Sequence, residues 1–342
     1  VATIGLIVNP AAGRDIRRLT GGASVVDNYA KRRVAECVCD GLTVAGEPVE
    51  VLVMPDRTGI ADHAVAKAPE DEGIDATTLE MPIEESSADT RRAAARFRDE
   101  ADAAVVLGGD GTTRDAALEL GDVPLVAVST GTNNVVPAAV DGTVAGAAAA
   151  LVATGTVPAD AVTTRHGTVE ARAETPTGER RLTGLAAAEV SSKAFIGTRA
   201  LLDPSDLRGG VVSQAHPGHI GLPAVAGALE PLSPTDPGGV AVRLTDPDDA
   251  PRCVRAIVAP GVTATVGVTS CERLESNESV TFDVPDGVVG ADGERELELT
   301  DATVELTPVP DGPRLVDIDA TLERGARAGG FEVPAVDEPQ RE

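Results

Sequence analysis

The residues in this chain best placed to do chemistry are a carboxylate set among glycines, Gly108-Gly109-Asp110-Gly111-Thr112. They follow directly on the apolar run Ala103 to Leu107 and lead into a helical stretch, Arg114 to Leu120, that stops at Gly121. Glycines let a backbone approach phosphate oxygens closely, and the amides of a turn that opens a helix point at an anion. Asp110 itself repels phosphate. Its uses are to hold a Mg2+, to accept a hydroxyl proton, or to bind a ribose hydroxyl. A second polar turn, Ser129 to Asn134, ends the next apolar run, Pro124 to Val128. Phosphate-binding turns plus a carboxylate indicate phosphoryl transfer from a nucleotide. Taken alone, the first turn is as well explained as a tight connection with glycines at φ > 0. Two such turns at the carboxyl ends of successive strands weigh toward a ligand site, because open α/β sheets bind ligands there.

The elements that must position these turns alternate along the first half. Thr3 to Val8, Val49 to Met54, Ala76 to Met81, Ala103 to Leu107 and Pro124 to Val128 read as strands. Val25 to Gly41, Gly59 to Ala68, Ser86 to Ala101 and Val144 to Thr154 read as helices. Short Val-rich runs joined by helices predict a mainly parallel sheet with crossover helices. Beyond Pro158 helices nearly vanish. Val162 to Glu174, Arg181 to Val190, Ala241 to Leu244, Val254 to Val258, Thr263 to Val268 and Ser279 to Asp283 predict a second, antiparallel β-rich unit, which Val304 to Leu306 and Arg314 to Val316 complete. Ile318 to Ala328 predicts a last helix. The expected organisation is an α/β nucleotide-binding domain over 1–157, a β-rich substrate domain over 158–312, a helix within 313–332 packing back on the first domain, and a disordered tail over 333–342.

The motifs also carry a resemblance. GGDGT, a following strand ending in a GTxN turn, the opening segment IGLIVNPAAG from Ile4 to Gly13, and Asp292-Gly293-Glu294 resemble the superfamily of NAD kinases, diacylglycerol and sphingosine kinases and phosphofructokinases. Within it the chain is similar to the AcoX-like ATP-NAD kinase family through most of its length, including the segments near Arg17 to Glu36 and Phe195 to Ala200. The resemblance implies an NAD kinase-like fold, ATP as phosphoryl donor, Mg2+, and NAD as the small-molecule acceptor. It makes Asp110 the catalytic residue, contacting ribose and activating the 2′-hydroxyl. It places Asn9, Gly13, Gly108, Gly109, Gly111, Thr112, Thr132, Asn133 and Asn134 around nucleotide and phosphates. Arg199, Asp292, Gly293 and Glu294 become substrate-binding candidates, and metal ligands are left unassigned. The alternative for Arg199 is a surface ion pair, and for Asp292-Gly293 an ordinary hairpin turn. The chain departs from many relatives at Asn133-Asn134, where they carry Asn followed by an acid; a neutral amide replaces no carboxylate as base or metal ligand. That turn and Asp-Gly-Glu resemble the diacylglycerol-kinase branch more than typical NAD kinases, so a kinase of a lipid or another metabolite is the second reading. A non-catalytic nucleotide-binding regulator is the third.

Composition narrows the remaining classes. The chain has 342 residues, with 55 acidic and 29 basic ones for a net charge of −26. Only Lys31, Lys67 and Lys193 are lysines, Trp is absent, and aromatics make up 1%. An acidic surface with few lysines fits a cytoplasmic protein of a salt-accumulating halophile, where molar salt screens self-repulsion. It disfavours nucleic acid as a partner, since no basic stripe is present to neutralise phosphates. Arg14, Arg17 and Arg18 stand out as a local basic cluster suited either to phosphates or to acidic neighbours, and Lys31, Arg32 and Arg33 fall on the expected exposed side of a helix. Cys37, Cys39, Cys253 and Cys271 give no disulfide framework, and His216 and His219 flank a Pro-Gly turn rather than forming a helical metal pair. Val1 to Val8 reads as a strand, not a leader, and no run of 18 apolar residues predicts a membrane span. A homo-oligomer is expected by analogy with the superfamily.

Overall fold

In a computed structural model, described here over residues 1–12, 27–131, 134–192 and 206–332, the chain forms two sheets. The first is built from β1 (Ala2–Val8), β2 (Val49–Val53), β3 (Ile74–Thr78), β4 (Ala103–Gly108) and β5 (Leu125–Ser129), all parallel to their neighbours. β1, β4 and β5 are apolar on both sides because both faces are covered, whereas β2 and β3, toward the sheet edge, leave Glu50, Asp75, Thr77 and Thr78 exposed. On one face Ile4, Leu6, Val8, Val105 and Leu107 pack with residues of α1 (Asn28–Leu42), α2 (Ile60–Lys67) and α5 (Gly142–Ala153). On the other, Ile7, Ala104 and Val106 pack with Phe97 and its neighbours on α3 (Ser87–Glu100) and with α4 (Asp110–Leu120). Helix starts are set by side-chain caps: Asp27 accepts from the Ala30 amide, Ser86 from Ala88 and Asp141 from Thr143.

The second sheet has nine strands in the order β12-β13-β11-β10-β9-β14-β15-β7-β8, every neighbour antiparallel. These are β7 (Thr168–Thr175), β8 (Gly178–Gly184), β9 (Ala187–Ser191), β10 (Leu207–Val212), β11 (Gly239–Thr245), β12 (Arg252–Ala259), β13 (Val262–Leu274), β14 (Val280–Ala291) and β15 (Glu294–Val309). One face, with Val211 and Ala241, packs with Val169, Phe282 and Val304. The opposite face, with Val212, Val240 and Val242, is covered by α6 (Leu222–Gly227). The chain is thus an α/β N-terminal unit with a mainly parallel sheet followed by a β-rich unit, as the alternation of elements predicts.

Two strands belong elsewhere than the pattern suggests. The run Val162 to Glu174 breaks at His166-Gly167: its first part, β6 (Thr163–Arg165), joins the first sheet. Arg314–Val316, β16, does not finish the β-rich sheet but pairs parallel with β5 and antiparallel with β6. The two crossings between sheets are tied together where the His166 amide donates to the Pro313 carbonyl at 2.9 Å. The last helix, α7 (Ile318–Arg327), returns to the first unit, where Gly325 lies against Leu151. Gly13, the cluster Arg14, Arg17 and Arg18, Thr132, Asn133, Lys193, Arg199 and the tail 333–342 lie outside the described residues.

Candidate active site

The parallel sheet runs β3-β2-β1-β4-β5, so the chain reverses its direction of progress between β1 and β4. A crevice at the carboxyl ends of two strands opens at such a switch point. Asn9 leaves β1 there: its amide donates to Leu107 O at 3.3 Å, and its Nδ2 donates to Thr112 Oγ1 at 2.8 Å. Asn9 Oδ1 accepts from the Ala11 amide at 2.9 Å, closing the turn on itself. Lys31 supports this turn from behind, its Nζ donating to Pro10 O at 2.6 Å. Its side chain is fully buried, which corrects the expectation of an exposed Lys31; Arg32 is half-buried and Arg33 exposed. The helical face that the pattern assigned to solvent is the one covered near the turn after β1.

At the end of β4, Gly108 pairs with Ser129 of β5, Gly109 caps α4 in an extended conformation, and Asp110 is the first helical residue. None of Gly108, Gly109 and Gly111 has a positive φ, so what constrains them is the approach of neighbouring side chains rather than turn geometry. An added Cβ at Gly108 would lie 2.6 Å from Thr112 Cβ; at Gly109, 3.2 Å from Asn134 Oδ1; at Gly111, 3.0 Å from Glu294 Oε1. The Asp110 carboxylate turns toward the segment that follows the second polar turn. It accepts from the Val135 amide at 3.0 Å and from the Val136 amide at 2.9 Å. Asn134 Nδ2 donates to Ser129 Oγ at 2.6 Å, which in turn donates to Gly131 O at 2.6 Å.

The β-rich unit supplies the other wall. Asp292 and Gly293, with φ of 54° and 79°, form the two-residue hairpin between β14 and β15, a left-handed pair that the Asp-Gly sequence favours. The Asp292 side chain is completely buried and accepts from the amides of Leu185, Ala186 and Ala187 at 2.9, 2.7 and 3.1 Å. Burial pushes its carboxyl above the usual range, opposed by Arg114 and by those amides. The Gly293 amide donates to Glu189 Oε1 at 2.7 Å, and Glu294 reaches over Gly111. Of the turn's two carboxylates, Asp292 holds the β-rich unit together and Glu294 faces the Gly-rich turn.

Arg114, one turn along α4 from Asp110, joins the two walls. It is 2% exposed, donates to Ala291 O at 3.1 Å and to Glu296 Oε1 at 2.9 Å, and lies 3.8 Å from Asp292 Oδ2. Burial works against its charge, but the Asp292, Asp115, Glu296 and Glu294 carboxylates outweigh this and raise its pKa. Sequence reasoning passed over Arg114, Glu189, Gln214 and the buried role of Lys31. Two had a visible signal: Glu189 is a lone acid in the apolar run of β9, and Arg114 follows Asp110 at the i+4 spacing of one helix face.

Asn9, Gly108, Gly109, Asp110, Gly111, Thr112, Asn134 and Glu294 therefore lie together at the carboxyl ends of β1 and β4. Among the described residues no group of three or more His, Cys, Asp or Glu side chains is arranged to hold a metal ion. As carboxylates beside the Gly-rich turn, Asp110 and Glu294 suit a hard divalent ion by their chemistry.

Known proteins match both halves. A family model described as the ATP-NAD kinase N-terminal domain matches residues 4–157, and one described as the acetoin catabolism protein X C-terminal domain matches residues 168–311. Acetoin catabolism protein X of Cupriavidus necator is 36% identical over 332 residues, covering 95% of this chain and 92% of that protein. Among solved structures, yeast NADH kinase complexed with NADH is similar at a TM-score of 0.48 and 14% identity, covering 99% of this chain and 90% of the other. A diacylglycerol kinase from Bacillus anthracis is similar at 0.40 and 14%, covering 92% and 96%. With both halves matched by these models and nearly the whole length aligned to the Cupriavidus protein, the chain belongs to the AcoX-like ATP-NAD kinase family.

Proposed function

We propose that this protein is an ATP-dependent kinase that transfers a phosphoryl group to a hydroxyl, with the 2′-hydroxyl of NAD as acceptor and NADP as product. The observation that carries this reading is the Asp110 carboxylate, held by the Val135 and Val136 amides beside the Gly-rich turn. A base so placed takes the proton of an acceptor hydroxyl. The acceptor oxygen then forms its bond to the γ-phosphorus as the bond to the β,γ-bridging oxygen breaks, and ADP leaves with that electron pair. Gly108, Gly109, Gly111 and Thr112, with Gly13 and Thr132, surround the phosphates. Asn9 donates to Thr112 and so ties the turn after β1 to the first turn of α4. Asn133 binds nucleotide through its amide, Asn134 through the amide oxygen left after its Nδ2 donates to Ser129 Oγ, and Glu294, Gly293 and Arg199 contact the acceptor. Asp292 serves by fixing the turn. A Mg2+ bound to the phosphates would offset their charge, and Asp110 and Glu294 would be the carboxylates to hold it.

A second reading, a lipid or another metabolite as acceptor, is favoured by Asn134, whose neutral amide is spent on Ser129 and supplies no second carboxylate. The composition supports work in a salt-rich cytoplasm, and among the described residues no helix is long and apolar enough to cross a membrane. The test is NADP+ formation from NAD+, ATP and Mg2+ in high KCl, alongside labelled ATP with a panel of acceptors. Product that falls on the order of 10²–10⁴-fold in Asp110→Asn, with ATP binding retained, supports the reading. Label on a lipid or another metabolite, with none on NAD+, would replace NAD as the acceptor. ATP binding without transfer to any acceptor would leave a nucleotide-binding regulator.

A further inference from the structure

The amides that fix Asp110 are themselves held from the other domain. Gln214, two residues past the end of β10 and 4% exposed, donates its Nε2 to Val135 O at 3.3 Å. Val135 is thus gripped on both of its peptide groups. Its N–H goes to Asp110 on α4 of the first unit, and its C=O receives Gln214 of the β-rich unit. Gln214 is not left to rotate. The Ser213 hydroxyl beside it donates to Leu185 O at 2.8 Å, in the segment whose amides bind Asp292. The Ala215 amide and carbonyl both pair with Leu232. The buried His166 imidazole, at the crossing between the two sheets, lies against the Gln214 side chain.

We propose that Gln214 is a positioning residue through which the β-rich domain sets the orientation of the Asp110 carboxylate. The path is short: Gln214 Nε2, the carbonyl of Val135, the rigid peptide chain, the amides of Val135 and Val136, and the carboxylate. Removing the Gln214 donor takes from the part-buried Val135 carbonyl its bond to the β-rich domain, and the 135–136 segment relaxes toward any other donor, taking with it the amides that hold Asp110. The position of the acceptor-side domain is in this way felt at the base through the backbone of Val135 and Val136. The kinetic consequence rests on the proposed role of Asp110; the backbone geometry does not.

Amide hydrogen exchange of the intact protein without nucleotide tests the geometry, and phosphoryl transfer tests its consequence. Gln214→Met keeps the length and removes the donor. The expected result is exchange at Val135 and Val136 about three- to tenfold faster, with the amides of β4 unchanged. In the transfer assay kcat falls about tenfold while KM for ATP stays within about twofold. Unchanged exchange at Val135 and Val136 in folded Gln214→Met overturns the proposal. Faster exchange in a protein that transfers phosphate to no acceptor sinks the kinase reading and leaves the positioning role standing. Should Gln214→Met fail to fold, Gln214→Asn decides, because an amide one methylene shorter no longer reaches the Val135 carbonyl, which Gln214 meets at 3.3 Å. Exchange at Val135 and Val136 is then again about three- to tenfold faster with the amides of β4 unchanged. Unchanged exchange overturns the proposal.

Discussion

Arg114 Nη2 lies 2.9 Å from Glu296 Oε1, and the two residues are 182 positions apart in the chain. This contact and the bond from Arg114 to Ala291 O mount the β14–β15 hairpin on the first turns of α4. Glu294 stands over Gly111 because Arg114 holds the strand on which it begins. The crevice therefore exists only when both sheets are in place.

Removing that guanidinium leaves the buried Asp292 and half-buried Glu296 carboxylates without their cation. Arg114→Met is expected to destabilise the protein by about 3–5 kcal/mol, as breaking a buried ion pair does. Urea unfolding followed by fluorescence of the single Tyr29 and by circular dichroism checks this. A loss below about 1 kcal/mol would show that the hairpin is held by its own strands.

The Gly-rich turn is crowded by its own neighbours, and its glycines differ in tolerance. Gly108→Ala drives a methyl to 2.6 Å from Thr112 Cβ, so Thr112 must leave Asn9. Gly111→Ala meets the end of the Glu294 side chain at 3.0 Å, which can swing aside. Gly108→Ala is expected to cost about 1–3 kcal/mol of stability and to abolish ATP binding. Gly111→Ala is expected to keep the fold and raise the KM for acceptor. Calorimetric titration with ATP distinguishes the two, and equal effects would contradict the geometry.

The buried His166 makes stability depend on pH. Burial lowers its pKa, opposed by the Gly167 carbonyl and Gln214. Below the ordinary histidine range the unfolded chain binds a proton that the folded chain refuses, so stability is full above about pH 6.5 and declines as pH falls. His219, lowered by burial and by His216, adds in the same direction. Urea midpoints between about pH 7 and about pH 5 should fall less in His166→Phe than in the parent. Parallel curves would show that His166 is protonated in the folded protein.

A net charge of −26 predicts a protein that gains stability with salt. The melting temperature is expected to rise as KCl goes from about 0.1 M, where charges interact over about 10 Å, to about 1 M, where they are screened within about 3 Å. A flat or falling curve would argue against adaptation to high salt.

The sequence by itself determined the local elements and the turns between them. Strand β4, the helix that follows it from Arg114 onward and the Asp-Gly hairpin at 292–293 all follow from patterns a few residues long, although the helix itself begins four residues earlier, at Asp110. Apolar runs, glycines and caps act within one turn or one strand, so they can be read in order. The tertiary structure decided which segments meet. It sent Arg314–Val316 and Thr163–Arg165 to the first sheet, split the second of these from β7 at His166-Gly167, and buried Lys31 beneath Pro10. It also divided the Asp-Gly-Glu turn between a carboxylate spent on three amides and one turned to the crevice. Short edge strands and lone polar side chains carry no period of their own; their partners are chosen by the packing of residues far away in the chain. Gln214 and Asp110 are joined through the peptide of Val135 for the same reason, a relation that no spacing in the sequence encodes.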